Sequence, residues 1–378
     1  MINRISFKNY KIFKEQQTLI LRPITVLIGK NNSGKSAIAK LPTLIAGSLR
    51  GDFSSPLNWQ NKVGDDSIEL GTSYEDLVYN RNAITSLEID ISSEKEGLQI
   101  IVLKNEILQY NINGEEIDLN NTKFKGFLIN GAKFETLKLN LDYIGAFRTI
   151  PESSYSLNLD DFSKIGIDGR NAYSILIQDF ESDKTLLSNV SKWYENNFEN
   201  WKLDVLKIDA KTEIQYQVAI SNNGIDSINI TNVGQGIHQV LPLIVRSYMP
   251  EEEPILVIIE EPETHLHPSA HGNLAQRFVE SFLDNNNRHY LVETHSQNFV
   301  LRLRKLVADG ILKKEDLAIY YVDFEEEKKE SVLRLIEIDD MGRIKNNDWP
   351  DGIFNETSLE TRAIFNAQLN DATNVGRD

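Results

Sequence analysis

The chain has no cysteine, which excludes a disulfide framework and any thiolate metal site. It has no apolar run near the ~20 residues needed to cross a bilayer. Its opening stretch, "MINRISFKNYKIF", is polar and alternating, where a secretory leader would carry an apolar core. Positive charge is in deficit: 40 Lys and Arg face 56 Asp and Glu, a formal net charge of −16. Such a surface does not grip nucleic acid as a whole, although a local basic groove stays open. Repeats, heptad runs and low-complexity linkers are absent too. A soluble, cytoplasmic protein without a membrane partner is expected. Its 378 residues, 40% of them hydrophobic, suffice for a full core in one large or two smaller domains.

What is present has a clear order. "RISFKNY" alternates Ile5 and Phe7 with polar neighbours, and "QTLIL" and "ITVLIG" follow, rich in β-branched residues, so three strands are expected. "KSAIAKLPTLIAGSL" then sets Ile38, Leu41, Leu44 and Ile45 at helical spacing. From about Asp52 to Asn140, runs such as "SLEIDIS", "LQIIVL" and "ILQYNING" are broken by Asn-Gly and Glu-Gly turns, the pattern of an antiparallel meander. "LNLDYIGAFR" reads as a strand, and "NAYSILIQDF" and "TLLSNVSKWYENNF" read as helices. After Gly234 the pattern becomes parallel α/β. "HQVLPLIVRSYM" (helix), "PILVII" (buried strand), "SAHGNLAQRFVESFLDN" (helix) and "HYLVET" (strand) come in turn. "SQNFVLRLRKLVADG" is a helix closed by Gly310, and "LAIYYVDF" with "SVLRLIEI" forms a terminal strand pair. The last 20 or so residues are polar.

The sharpest motif is "GKNNSGKS": Gly29, Lys30, Asn31, Asn32, Ser33, Gly34, Lys35 and Ser36. It satisfies G-x-x-x-x-G-K-[ST], and each fixed position has a chemical reason. The glycines let backbone N–H groups turn inward around phosphates. Lys35 reaches the β and γ oxygens, and the Ser36 hydroxyl ligates Mg²⁺. A glycine-rich turn before a helix is the plain alternative. The context argues against it, because the motif follows a strand and opens a helix.

A second anchor is "PILVIIEEPETHLHP". A fully apolar strand, Ile255 to Ile259, ends in Glu260 and Glu261, and strand ends in a parallel sheet border the ligand crevice. Adjacent acids there can divide the work. Glu260 would hold Mg²⁺, directly or through water, and Glu261 would polarise the attacking water. "HYLVETHSQ" repeats the logic one strand later, with Thr294 and His295 at the strand end, where an imidazole can hydrogen-bond a phosphate or the water. His265 and His267 invite a zinc reading through their i, i+2 spacing. With no cysteine and no third ligand nearby, zinc is not expected.

"ITVLIGKNNSGKS", "NVGQGIHQVLPLIV", "ILVIIEEPETHLHP" and "VETHS", in that order, resemble the ABC-type ATPase heads of the RecF, SMC and OLD (overcoming lysogenization defect) group and the bacterial "AAA" ATPases close to them. The resemblance implies a P-loop NTPase of ABC-ATPase type: an α/β fold whose mixed, mainly parallel sheet is flanked by helices, with an antiparallel β-rich insertion lobe. It implies one ATPase domain over 1–356, with the insertion at 52–140, and a polar tail over 357–378. "YIGAFRTIP" and "NNDWPDGIFNE" resemble features of one subgroup. Gly29 to Ser36 would be the Walker A loop, Glu260 the Walker B acid (conventionally Asp), Glu261 the catalytic glutamate and His295 the switch histidine. Asn232 to Gln239 stands in the signature position. By resemblance, Gly234, Gln235, Gly236 and His238 would reach nucleotide bound by a second copy, although many relatives have serine where this chain has His238. No Q-loop glutamine is assignable.

The resemblance implies ATP and Mg²⁺ as ligands, a head-to-tail dimer and a separate effector protein, a nuclease or toxin, in bacterial defence or DNA maintenance. An ATP-binding scaffold with little turnover is the alternative. A transporter subunit is disfavoured by the insertion and the missing "LSGGQ". Fewer than 85 residues follow His295, too few for a Toprim domain, so no nuclease site is expected in this chain. Nucleic acid stays open as a partner through Arg302, Arg304, Lys305, Lys313 and Lys314, for which a solvated helix face is the plainer reading.

Overall fold

The computed structural model describes residues 1–51, 54–63, 66–120, 122–129, 134–160, 162–210, 213–345 and 360–364. The expected tail and the 346–356 segment lie almost wholly outside these residues. A hairpin of β1 (Arg4–Lys8) and β2 (Gln17–Ile20) precedes β3 (Ile24–Gly29), whose six residues are all buried. An unbroken apolar run of this kind suits a strand covered on both faces. Helix α1 (Lys35–Leu49) follows and buries Ile38, Leu41, Leu44 and Ile45, so its expected apolar stripe is the face that packs.

The meander expected over 52–140 forms β4 (Leu87–Ser92), β5 (Gly97–Leu103) and β6 (Glu106–Ile112), with a short strand at Glu115–Glu116. These strands do not stand apart. β4 pairs antiparallel with β1, from Arg4 opposite Ser92 to Lys8 opposite Glu88, and the sheet order is β2-β1-β4-β5-β6. In β4, buried Leu87, Ile89 and Ile91 alternate with half-buried residues, the period-2 pattern of a strand with one covered face. After β6, Asn113 and Gly114 both take positive φ, 51° and 86°. An Asn-Gly hairpin turn of that hand matches the twist of its strands.

The central sheet joins β7 (Asn140–Ile144), β11 (Ile255–Glu260), β12 (Arg288–Glu293), β3, β13 (Leu317–Glu325) and β14 (Glu330–Ile336), in that order. All pairs are parallel except β13 with β14. Alternation sends Val26, Val257 and Val292 into a core with the helices, while Leu27, Ile258 and Leu291 face α1 and the antiparallel sheet. Each buried aliphatic side chain of this size stabilises by about 1.5–3 kcal/mol.

The helical side holds α2 (Asn171–Glu181), α3 (Thr185–Asn197), α4 (Gln235–Tyr248), α5 (Pro268–Asp284) and α6 (Gln297–Ala308). No element is expected between 202 and 229 from sequence, yet β8 (Lys202–Ala210), β9 (Glu213–Asn222) and β10 (Ile225–Asn229) form an antiparallel sheet there. Only one face of it is covered. Arg246 on α4 is fully buried and pairs with Asp142 of β7 at 2.8 Å and with Glu251 at 2.7 Å.

Candidate functional site

The parallel strands β11, β12 and β3 end side by side, and the candidate residues lie at those ends. β3 runs into the glycine loop, where a Cβ on Gly29 would come within 2.3 Å of the Val322 carbonyl oxygen. Asn32 and Gly34 take φ of 62° and 102°, and a Cβ on Gly34 would crowd Ile12 at 2.9 Å. This left-handed backbone favours glycine at position 34. Helix α1 starts at Lys35 and no side chain caps it. Its first N–H groups and the positive end of its dipole are therefore directed at whatever occupies the loop. Within the loop, the Ser33 hydroxyl is buried without a partner.

Lys35 is 4% exposed and its ammonium donates to the Lys30 carbonyl at 2.9 Å. Burial lowers its pKa, opposed by the charges of Glu293, Glu261 and Glu263. Ser36 Oγ donates to Glu293 Oε1 at 3.1 Å, and Lys35 Nζ lies 3.8 Å from the same oxygen.

Glu260 closes β11, and Tyr143 donates its hydroxyl to Glu260 Oε1. Glu261 takes the left-handed conformation, φ 43°. Its N–H is held by the Glu293 carbonyl at 2.8 Å, and its Oε2 accepts from Thr264 Oγ1 at 3.3 Å. Glu263 braces the neighbouring strand end, accepting from Thr294 Oγ1 at 2.8 Å and from the His295 N–H at 2.6 Å. The His295 side chain is exposed. Desolvation by the surrounding loops, then the Lys35 charge, lower its pKa, so the neutral imidazole prevails at neutral pH.

Two participants escape the sequence reading. Glu293 is the last residue of β12, directly opposite Glu260 in register. Burial, then the Glu260 charge, raises its pKa to about 7, against the pull of Lys35 and Ser36. The "VETHS" stretch carried the signal. Leu291 faces α1, so Glu293, two residues on, faces α1 as well. Arg148 is the other. Its guanidinium, 6% exposed, donates to the carbonyls of Glu260 at 2.8 Å and Glu261 at 3.0 Å. Gln239 of α4 donates to the Arg148 carbonyl at 3.2 Å, so one residue ties α4 to the acidic loop.

The remaining expected residues are spread around this centre. Gly234 and Gln235, at the start of α4, are exposed, and Gly236 packs so closely that a Cβ would stand 2.5 Å from the His265 carbonyl oxygen. His238 is 6% exposed and turned inward, and burial lowers its pKa. His267 caps α5 through Ser269. Among the described residues, no group of three or more His, Asp or Glu side chains is placed to hold a metal ion by itself. Of the basic cluster, Arg302 donates to Gln276, Arg304 to the Gly342 carbonyl, Lys305 pairs with Asp309 and Lys314 with Asp340. Four of its five cations therefore have partners within the chain. No described helix is long and apolar enough to cross a membrane.

A family model described as "AAA domain, putative AbiEii toxin, Type IV TA system" matches residues 24–302. The chain belongs to this family. The match spans every site residue from Gly29 to His295, and a second model, for a protein of unknown function (DUF3696), matches residues 312–364. No curated protein matches the chain. Among solved structures, this AbiEii-type AAA chain is similar to an SMC head bound to the C-terminal winged-helix domain of ScpA, with 13% identity, 89% of this chain and 98% of that one covered, and a TM-score of 0.51. It is also similar to an SMC head with an extended coiled coil, bound to the C-terminal domain of ScpA derived from Pyrococcus furiosus, with 11% identity, 89% and 96% covered, and a TM-score of 0.50. The likeness shows the fold: an SMC-head-like P-loop ATPase architecture of ABC type, as expected from the sequence.

Proposed function

We propose that this chain binds ATP with Mg²⁺ and hydrolyses it. In this reading two copies close head to tail over the nucleotide and act as a switch for a separate effector protein, a nuclease or toxin, in anti-phage defence or DNA maintenance. The observation that carries the reading is the gathering of Lys35, Ser36, Glu260, Glu261 and Glu293 at three adjacent strand ends, around an uncapped helix N-terminus. The loop N–H groups and Lys35 hold the phosphates, with Lys35 exchanging the Lys30 carbonyl for anionic oxygens. Glu261 accepts the proton of the attacking water, and His295, its backbone fixed by Glu263, hydrogen-bonds the terminal phosphate.

The donor set fits Mg²⁺, which takes one or two carboxylates, a hydroxyl and phosphate oxygens rather than an all-protein cage. Ser36 and Glu260 would hold it, and it would neutralise charge on the β and γ oxygens. The family description, which names a toxin, supports the effector, and the ScpA-bound SMC heads support a protein partner. The test is ATP turnover by wild type, Lys35→Ala and Glu261→Gln. A loss of about 10²-fold or more is expected for Glu261→Gln, in the range for removing a general base. Unchanged turnover would sink the hydrolytic mechanism.

A second reading, an ATP-binding scaffold with little turnover, draws on His238. This residue stands in the signature position and is buried, so the reach toward a partner's phosphate falls to Gly234 and Gln235. Wild-type turnover in that assay, set beside a titration with ATP, separates the two, because a scaffold binds ATP and shows little turnover.

A further inference from the structure

Glu293 is the one site carboxylate to which the proposed chemistry gives no task. Its side chain is 5% exposed. Oε1 is engaged by Ser36 and lies near Lys35, while Oε2 is buried without a partner. A buried carboxylate oxygen left unpaired is expensive, and such an atom at a ligand site points to a missing ligand. The strand register adds direction. Glu293 lies opposite Glu260 on β11 and opposite Leu27 on β3, and side chains opposite one another in a sheet share a face. Both carboxylates therefore project on the α1 side, where Glu293 accepts from the Ser36 hydroxyl and Glu260 from Tyr143. Gly145 and Ala146, which follow the edge strand β7, offer no side-chain oxygen to a cation.

We propose that Glu293 is a ligand of the Mg²⁺ that accompanies ATP, completing with Ser36 and Glu260 a site of one hydroxyl and two carboxylates. The proposal rests on the nucleotide-binding reading. Two carboxylates with phosphate oxygens and water are within the ordinary ligand set of this cation. A competing role is a lock that only orients Ser36 and Lys35, and the two roles differ in what they do to metal binding.

Mn²⁺ is a suitable probe, because free Mn²⁺ is read directly by its electron paramagnetic resonance signal. Wild type, Glu293→Gln and Glu293→Asp are titrated with Mn²⁺ in the presence of ATP, and each is titrated with a fluorescent ATP analogue in EDTA. Gln keeps the shape and removes the buried charge, and Asp keeps the charge. The expected result is Mn²⁺ affinity weakened more than about 100-fold in Glu293→Gln, beyond the roughly 10–100-fold that losing a residue which only orients a ligand costs, and partly restored in Glu293→Asp. Metal-free nucleotide affinity should stay equal or tighten, since a negative charge near the phosphates is gone. A loss of about 100-fold or less, the range for a residue that only orients a ligand, overturns the proposal in favour of the lock. Equal loss of metal and metal-free nucleotide affinity overturns it too. A wild type that binds no ATP in EDTA or with Mn²⁺ overturns the nucleotide reading, and this proposal with it.

Discussion

His289, one residue into β12, has its pKa lowered by burial, with the Asn286 backbone acting the other way. Its ring meets Phe282 edge to face at 6.1 Å. The folded chain resists protonating this imidazole, whereas the unfolded chain takes a proton near pH 6.5. In the window just below 6.5 the unfolded state binds more protons, so stability rises with pH there. The contribution is complete above about 6.5 and is lost as the pH falls through the depressed folded value, with a slope of at most about 1.4 kcal/mol per pH unit. His238, also buried with a lowered pKa, acts in the same direction. Urea unfolding of wild type and His289→Gln between about pH 5 and 7.5 should show a steeper acid loss in wild type. A stability difference that does not change with pH would remove His289 from the account.

At the scale of elements, charge inside the protein joins pieces that are distant in sequence. Asp142 on β7 pairs with Arg246 on α4, both fully buried, and Asp142 also accepts from the Ile165 N–H at 3.1 Å. Removing one partner strands the other in a medium that solvates it poorly. Asp142→Ala should therefore cost about 3 kcal/mol, at the low end of the usual range because Glu251 still faces Arg246. Replacing both, Asp142→Leu with Arg246→Met, should recover most of that loss in denaturant melts. If the double variant is as weak as the single, the pair is doing more than neutralising charge.

The same scale explains what the sequence could disclose. The parallel strands were legible because both faces are covered, and the run from Ile255 to Ile259 has no polar residue to obscure it. The glycine loop was legible because its chemistry fixes residue types at fixed spacing. β8 to β10 were not, because only one face packs, and β10 shows exposed Ile225, Asp226 and Ser227. Nor was the pairing of β4 with β1, since hydrogen bonds between strands some 80 residues apart leave no local pattern. Glu293 sat within an expected strand, and only its parity with Leu291 placed it beside Ser36. Arg148 acts through backbone carbonyls, which no side-chain motif records.

At the scale of the whole molecule, the strand ends supply a phosphate loop, carboxylates and a histidine from one side. In the proposed mechanism, catalysis by a general base would profit from excluding water other than the attacking one, and a single head would leave the outer face of the terminal phosphate open. Near the site, Phe147 and Ile150 are 94% and 78% exposed, on either side of buried Arg148 and close to its neighbour Thr149. Exposed apolar residues so placed, with Gly234 and Gln235 also at the surface, suit coverage by a second copy. ATP would then act as a ligand that binds the closed pair better than the open monomers and shifts the balance toward it. Glu261→Gln should trap that state. In light scattering with ATP and Mg²⁺ the variant is expected near twice the 43.1 kDa chain mass, while wild type returns to its starting mass as ATP is consumed. Phe147→Asp in the same background should restore the monomer, since a charge buried at the seam would oppose closure. If ATP leaves the mass of both Glu261→Gln and wild type unchanged, the closing surface belongs to a different protein, and the exposed Phe147 becomes the place to look for it.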